Sequence, residues 1–74
     1  MQDQENARDN GSTKEVIRNA KLDVIGYREL SGAREILSDK QGNLLGVFER
    51  DTRVTRDRFG KIIGFYVNQL MSLL

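Results

Sequence analysis

Residues 52–66, TRVTRDRFGKIIGFY, decide the fold. Val54 leads to Asp57, an Asp-x-x-Gly tetrad closes at Gly60, and Ile62, Ile63, Gly64, Phe65 and Tyr66 follow. Asp at the head of a tight turn accepts hydrogen bonds from backbone N–H groups two or three residues on. Gly at the fourth position supplies the φ > 0 that a three- to four-residue hairpin loop needs. The stretch therefore reads as strand, tight turn, strand.

Working outward, the same unit stands at 34–48, REILSDKQGNLLGVF, and in weaker form before that. Three segments align without a gap on Gly26, Gly46 and Gly64: EVIRNAKLDVIGY (15–27), EILSDKQGNLLGV (35–47) and RVTRDRFGKIIGF (53–65). Each holds a β-branched residue (Val16, Ile36, Val54), then Asn19, Asp39 or Asp57, and three places on Leu22, Gly42 or Gly60. Two aliphatics, the common Gly and Tyr27, Val47 or Phe65 complete the unit. The first copy lacks the turn glycine, as a terminal repeat often does. Leu30-Ser31-Gly32-Ala33 and Glu49-Arg50-Asp51-Thr52 read as turns between copies.

This repeat predicts an all-β fold: an antiparallel meander of three β-hairpin repeats, curled or packed face to face. Strands are expected at 14–19, 22–30, 33–38, 43–49, 52–56 and 61–67. Strict alternation places Ile25, Tyr27, Leu45, Val47, Ile63 and Phe65 on one face. It places Val24, Leu44, Phe48, Ile62, Tyr66 and the three common glycines on the other. Both faces then carry apolar residues, and both need cover. A mid-strand Gly weakens a strand unless another group must approach closely or a bulge forms there.

The two ends depart from the pattern. Residues 1–13 carry Asp3, Glu5, Arg8 and Asp9 and almost no apolar side chains, which predicts a disordered leader ahead of a single small domain at 14–74. In 67–74, VNQLMSLL, Val67, Leu70, Met71 and Leu74 fall at helical spacing. A short C-terminal helix is expected there, one that must dock on the sheet or on another chain to be stable.

The totals narrow the function. A 74-residue chain makes one small domain with a marginal core, and such domains usually add a staple. With no Cys and no His there is no disulfide, no thiolate metal site and no usual general base. Oligomerisation is the staple that this composition leaves open. The net charge of +1 predicts no strong attraction to nucleic acid or anionic membrane as a whole molecule. Mean hydropathy is −0.55, no run approaches the roughly 18 apolar residues of a span, and residues 1–10 lack a secretory pattern. A soluble, cytoplasmic protein is the expectation.

Chemistry is scarce. Asp39 and Asp57 are explained by their turns, and no nucleophile elbow or phosphate-cradling motif is present. Residues 39–43 hold too few oxygen ligands for a calcium loop. No catalytic, cofactor or metal residues are expected. A basic strip, Arg50, Arg53, Arg56, Arg58 and Lys61 with Phe59 inside it, offers phosphate contacts and a stacking ring. Glu49, Asp51 and Asp57 interleave with it, as on a solvated face of cross-strand ion pairs. The apolar surplus points instead to a protein interface built from Leu44, Phe48, Ile62, Tyr66, Leu70 and Leu74. The expected function is a non-enzymatic interaction or assembly module that forms a homo-oligomer; nucleic-acid binding through the strip at 50–61 is the alternative.

The D-x-x-G-x-[LI]-[LI]-G-[VF] units at 39–47 and 57–65 resemble short hairpin repeats of small uncharacterised bacterial and phage proteins. The resemblance spans about 26–74 and implies no catalytic residues. A weaker likeness is to PRC-barrel domains, small β-barrels with a D-x-x-G-x-x-[IL]-G hairpin and roles in protein interaction. Those domains do not require the hairpin to recur, as it does here.

Overall fold

Six antiparallel strands are hydrogen-bonded in sequence order into one sheet in the computed structural model, which describes residues 13–74. They are β1 (Thr13–Arg18), β2 (Val24–Ser31), β3 (Arg34–Asp39), β4 (Leu44–Glu49), β5 (Val54–Asp57) and β6 (Ile62–Phe65). The fold is the expected all-β meander, as a single open sheet with β1 and β6 at its edges rather than two sheets face to face. The leader expected over 1–13 lies outside the described residues except for Thr13, which already belongs to β1. No helix among the described residues is long and apolar enough to cross a membrane.

The hairpin turns repeat one hydrogen-bond set. The Asp39 carboxylate accepts the N–H groups of Gln41 and Asn43, at 3.0 and 2.8 Å. Asp57 does the same for Phe59 and Lys61, and the Asn19 side-chain oxygen for Lys21 and Asp23. These donors, the Asn43 N–H foremost, hold the Asp39 carboxyl below its ordinary range. The fourth turn residue has φ of +91° at Gly42, +85° at Gly60 and +70° at Leu22. The first copy thus keeps the geometry without the glycine, at the expense of placing a Cβ in the left-handed region. Leu22 is 72% exposed, so Gly would forfeit little packing. Leu22→Gly is therefore expected to raise Tm by about 4–8 °C, the equivalent of ~1 kcal/mol in a domain of this size. Thermal melting followed by circular dichroism checks this; a lower Tm would show that Leu22 is not strained.

A second repeated feature resets the faces of the sheet. Counting back from the turn, a regular ladder would pair Leu37 with Leu45. Leu37 instead pairs with Gly46, while Ser38 pairs with Leu44. Leu45 is therefore the extra residue of a β-bulge. Ile25 and Ile63 are its equivalents, since Ile17 pairs with Gly26 and Thr55 with Gly64. The two aliphatics ahead of each common Gly are the sequence trace of this bulge. Each bulge shifts the alternation by one and bends the strand.

The strict alternation expected from the sequence is corrected accordingly. Leu44 shares a face with Ser38, Val47 and Ile62, whereas Phe48 lies on the opposite face with Leu37 and Gly46. Leu45 also turns to the Leu37 side, where it packs with Ile17 and Leu73 against the core of Leu37, Phe48 and Leu70.

The C-terminal helix is shorter and tighter than expected. Only a 3₁₀ turn forms, over Leu70–Leu73. With three residues per turn, Leu70 and Leu73 face the sheet, and Met71 faces away. The α-helical face of Val67, Leu70, Met71 and Leu74 is not formed: Val67 and Met71 are exposed.

Candidate functional site

The two faces of the sheet differ in cover, and that difference defines the candidate site. One face is closed by the C-terminal segment, residues 67–74, which crosses it as a strap. The three common glycines form the floor beneath. A Cβ on Gly64 would collide with the Gln69 side chain. One on Gly46 would lie 2.5 Å from Leu73 Cδ1 and 3.3 Å from Leu70 Cδ2, and one on Gly26 would lie 2.9 Å from Leu74 Cδ2. The repeat thus keeps glycine mid-strand because the strap lies directly on the backbone there.

Thr55 anchors the strap. Its side chain is fully buried and is the one buried polar residue among those described. Its hydroxyl accepts the Gln69 N–H at 3.1 Å and is 3.5 Å from the Val67 carbonyl, to which it donates. Asn68 adds a bond to Glu35 at 2.9 Å and accepts the Leu70 N–H. Glu35 in turn neighbours Arg28, which is paired with Glu15 at 2.7 Å. Sequence reading passed over Thr55. The signal was its register: two residues from Asp57, on the side that the bulge turns toward Phe48. Thr55→Val keeps the shape and removes the acceptor, leaving the Gln69 N–H without its partner. A loss of about 1–3 kcal/mol is expected in urea unfolding. An unchanged midpoint would show that the hydroxyl does not hold the strap.

The opposite face is the more open one, although Val54 on it is buried, at 9% exposed. Cross-strand partners build it in rows: Val16 beside Tyr27, Ser38 and Leu44; Ile36 beside Val47, Arg56 and Ile62; Val54 beside Phe65. Val16 is 50%, Leu44 43%, Ile62 37% and Phe65 61% exposed. Charges stand toward the ends of the strands in opposite pairs, Lys14 across from Glu29 and Arg34 across from Glu49. Arg56 bends to the turn and donates to the Gly60 carbonyl at 3.0 Å, so its stem lies among the apolar residues.

The residues expected at an interface are therefore divided. Leu44 and Ile62 share the open face. Phe48, 7% exposed, and Leu70, 1% exposed, are buried in the chain's own core. Leu74 lies over Gly26 on the covered side, and Tyr66 projects from the chain beyond β6. Strict alternation set Phe65 on the face opposite Leu44 and Ile62, because the bulge at Ile63 was not counted, and Val16 was not among the residues expected at the interface.

The basic strip is also divided. Arg50 and Arg53 lie in the β4–β5 turn at one end of the sheet, where Arg50 donates to the Gly32 carbonyl. Arg58 and Lys61 lie in the β5–β6 turn at the other end, with the Arg58 guanidinium 4.9 Å from the Phe59 ring centre. β5 and the bent Arg56 separate the two groups, so the five residues do not form one cationic surface.

Beyond the end of the strap an open cavity of about 760 Å³ lies between Leu45, Leu73 and Leu74 and the turns of Asn19 and Asp39. No group of three or more His, Cys, Asp or Glu side chains among the described residues could hold a metal ion. In comparisons with known proteins, no family model, no curated protein and no solved structure matches this chain.

Proposed function

We propose that the chain is a non-enzymatic interaction and assembly module that self-associates, the open face of its sheet seated on the same face of a second copy. The exposed apolar side chains of Val16, Leu44, Ile62 and Phe65, all on one face of the sheet, are the observation that carries this reading. Its size supports a second copy as the occupant. The described residues span 41 × 34 × 19 Å, so the broad side of the sheet is large enough for the roughly 800 Å² per partner of a stable interface. The charge pattern supports it too. A net charge of +1 leaves little repulsion between copies, and Lys14 beside Glu29 and Arg34 beside Glu49 put both signs of charge on the face that two copies would share. Removing this face from water also supplies the staple that a core of Leu37, Phe48 and Leu70 lacks.

Sedimentation equilibrium of the full chain over a wide concentration range tests the reading. A rise from the 8.5 kDa monomer toward twice that mass is the expected result. A single monomeric species at millimolar concentration would overturn it.

A further inference from the structure

We propose that the strap is exchangeable: residues 67–74 of one copy can leave their own sheet and occupy the glycine-floored groove of a second copy. The occupant is fixed by the groove itself. Gly64, Gly46 and Gly26 receive Gln69, then Leu70 and Leu73, then Leu74, and Thr55 receives the Gln69 N–H. Only another copy of the same segment presents these groups in this order.

The hinge at the root of the strap supplies the reason to open. Tyr66 has φ of +68° and is the centre of a γ-turn, with the Val67 N–H donating to the Phe65 carbonyl at 2.7 Å. A γ-turn with positive φ is rare and strained, and more so at a residue with a bulky side chain. The Tyr66 N–H donates to the carbonyl of Arg53, itself at φ +57°, so two strained non-glycine residues are joined at this point. Packing compensates little: Tyr66 is 77% and Val67 62% exposed, and the Tyr66 ring meets the Phe65 ring at 6.4 Å between centres.

Local preference opposes the turn as well. Phe65, Tyr66 and Val67 are aromatic and β-branched residues that favour a strand, and β6 is cut to four residues by the reversal at Tyr66. Straightening residue 66 removes the left-handed conformation, lengthens β6 and carries the strap away from its own sheet. In a second copy the strap regains every contact it left. Exchange then differs from the closed form by the relief of two hinges, which is the condition under which segment swapping is a low-cost route to dimers.

The absence of cysteine makes a direct test possible. A Cβ on Gly64 would stand 3.4 Å from Gln69 Cβ, close to the separation of a disulfide-bonded pair. The full-length Gly64→Cys/Gln69→Cys variant is refolded at graded concentrations, oxidised and run under denaturing, non-reducing conditions. Exchange predicts a covalent dimer held by two interchain 64–69 disulfides, its fraction rising with concentration. Adding Leu44→Glu, which disrupts the open face away from the hinge, should leave that dimer in place, so the two modes of association are told apart. Tyr66→Gly, which relieves the hinge, should reduce the dimer fraction about fivefold or more. Intrachain 64–69 disulfides alone at every concentration would overturn the proposal, as would covalent dimers without a 64–69 link.

Discussion

Gly46→Ala is expected to destabilise the fold by about 3 kcal/mol, lowering Tm by roughly 12–24 °C. The added Cβ would meet Leu73 Cδ1 at 2.5 Å and the Arg56 carbonyl oxygen at 2.6 Å. Leu73 can shift, but it then leaves the core beside Leu37 and Phe48. The Arg56 oxygen belongs to β5, the strand paired with β4, and cannot retreat without opening the ladder. Gly32→Ala is the control. Gly32 has φ of +60° in the β2–β3 turn, with nothing within 4 Å of an added Cβ. Its loss should be that of a left-handed Ala alone, about 1 kcal/mol. Equal losses at the two sites would show that the strap does not press on Gly46. A double-mutant cycle with Leu73→Ala adds a second reading. Shortening Leu73 should recover part of the Gly46→Ala loss, because the two residues contact each other.

Leu44→Glu combined with Phe65→Glu is expected to weaken self-association at least about 100-fold, at two or more kcal/mol per buried anchor residue. Both side chains are exposed in the single chain, at 43% and 61%, so the variant should keep its fold in far-ultraviolet circular dichroism. The double variant would bring four carboxylates into one interface, which adds desolvation and repulsion to lost burial. Met71→Glu is the matching control, since Met71 is 52% exposed on the outer side of the strap. It should leave the association constant within about twofold, because surface changes away from the interface alter free energies by only ~0.5 kcal/mol or less. Loss of association in the Met71 variant with retention in the Leu44/Phe65 variant would move the interface to the strap side.

Residue chemistry shows how far the sequence carried the fold. Asp39, Asp57, Gly42 and Gly60 act within four or five residues, so their turns were legible and all six strands followed from them. Even the degenerate copy kept its geometry, because Asn19 supplies the same acceptor as Asp. The common glycines were legible as sites of close approach or of a bulge, and both are present at each of them. What approaches was not legible, since Gly46 meets Leu70 and Leu73 only in the folded chain. The bulge at Leu45 was the main loss. One added residue reverses the face of every side chain on one side of it, so Leu44 and Phe48 were grouped together and are in fact opposed. The strap misled for a related reason. Its apolar spacing fits an α-helix, but packing on bare glycine backbone selects the narrower 3₁₀ turn that points Leu70 and Leu73 inward.

The open face of the sheet is the proposed surface on which copies meet. Methyl relaxation of the full chain, with a soluble paramagnetic agent present and at low and high protein concentration, tests it most directly. The methyls of Val16, Leu44 and Ile62 should be strongly relaxed in dilute solution and become protected as concentration rises. The Met71 methyl should stay equally exposed throughout. Protection at Met71 with none at Leu44 and Ile62, or no change at any of them, would contradict the account.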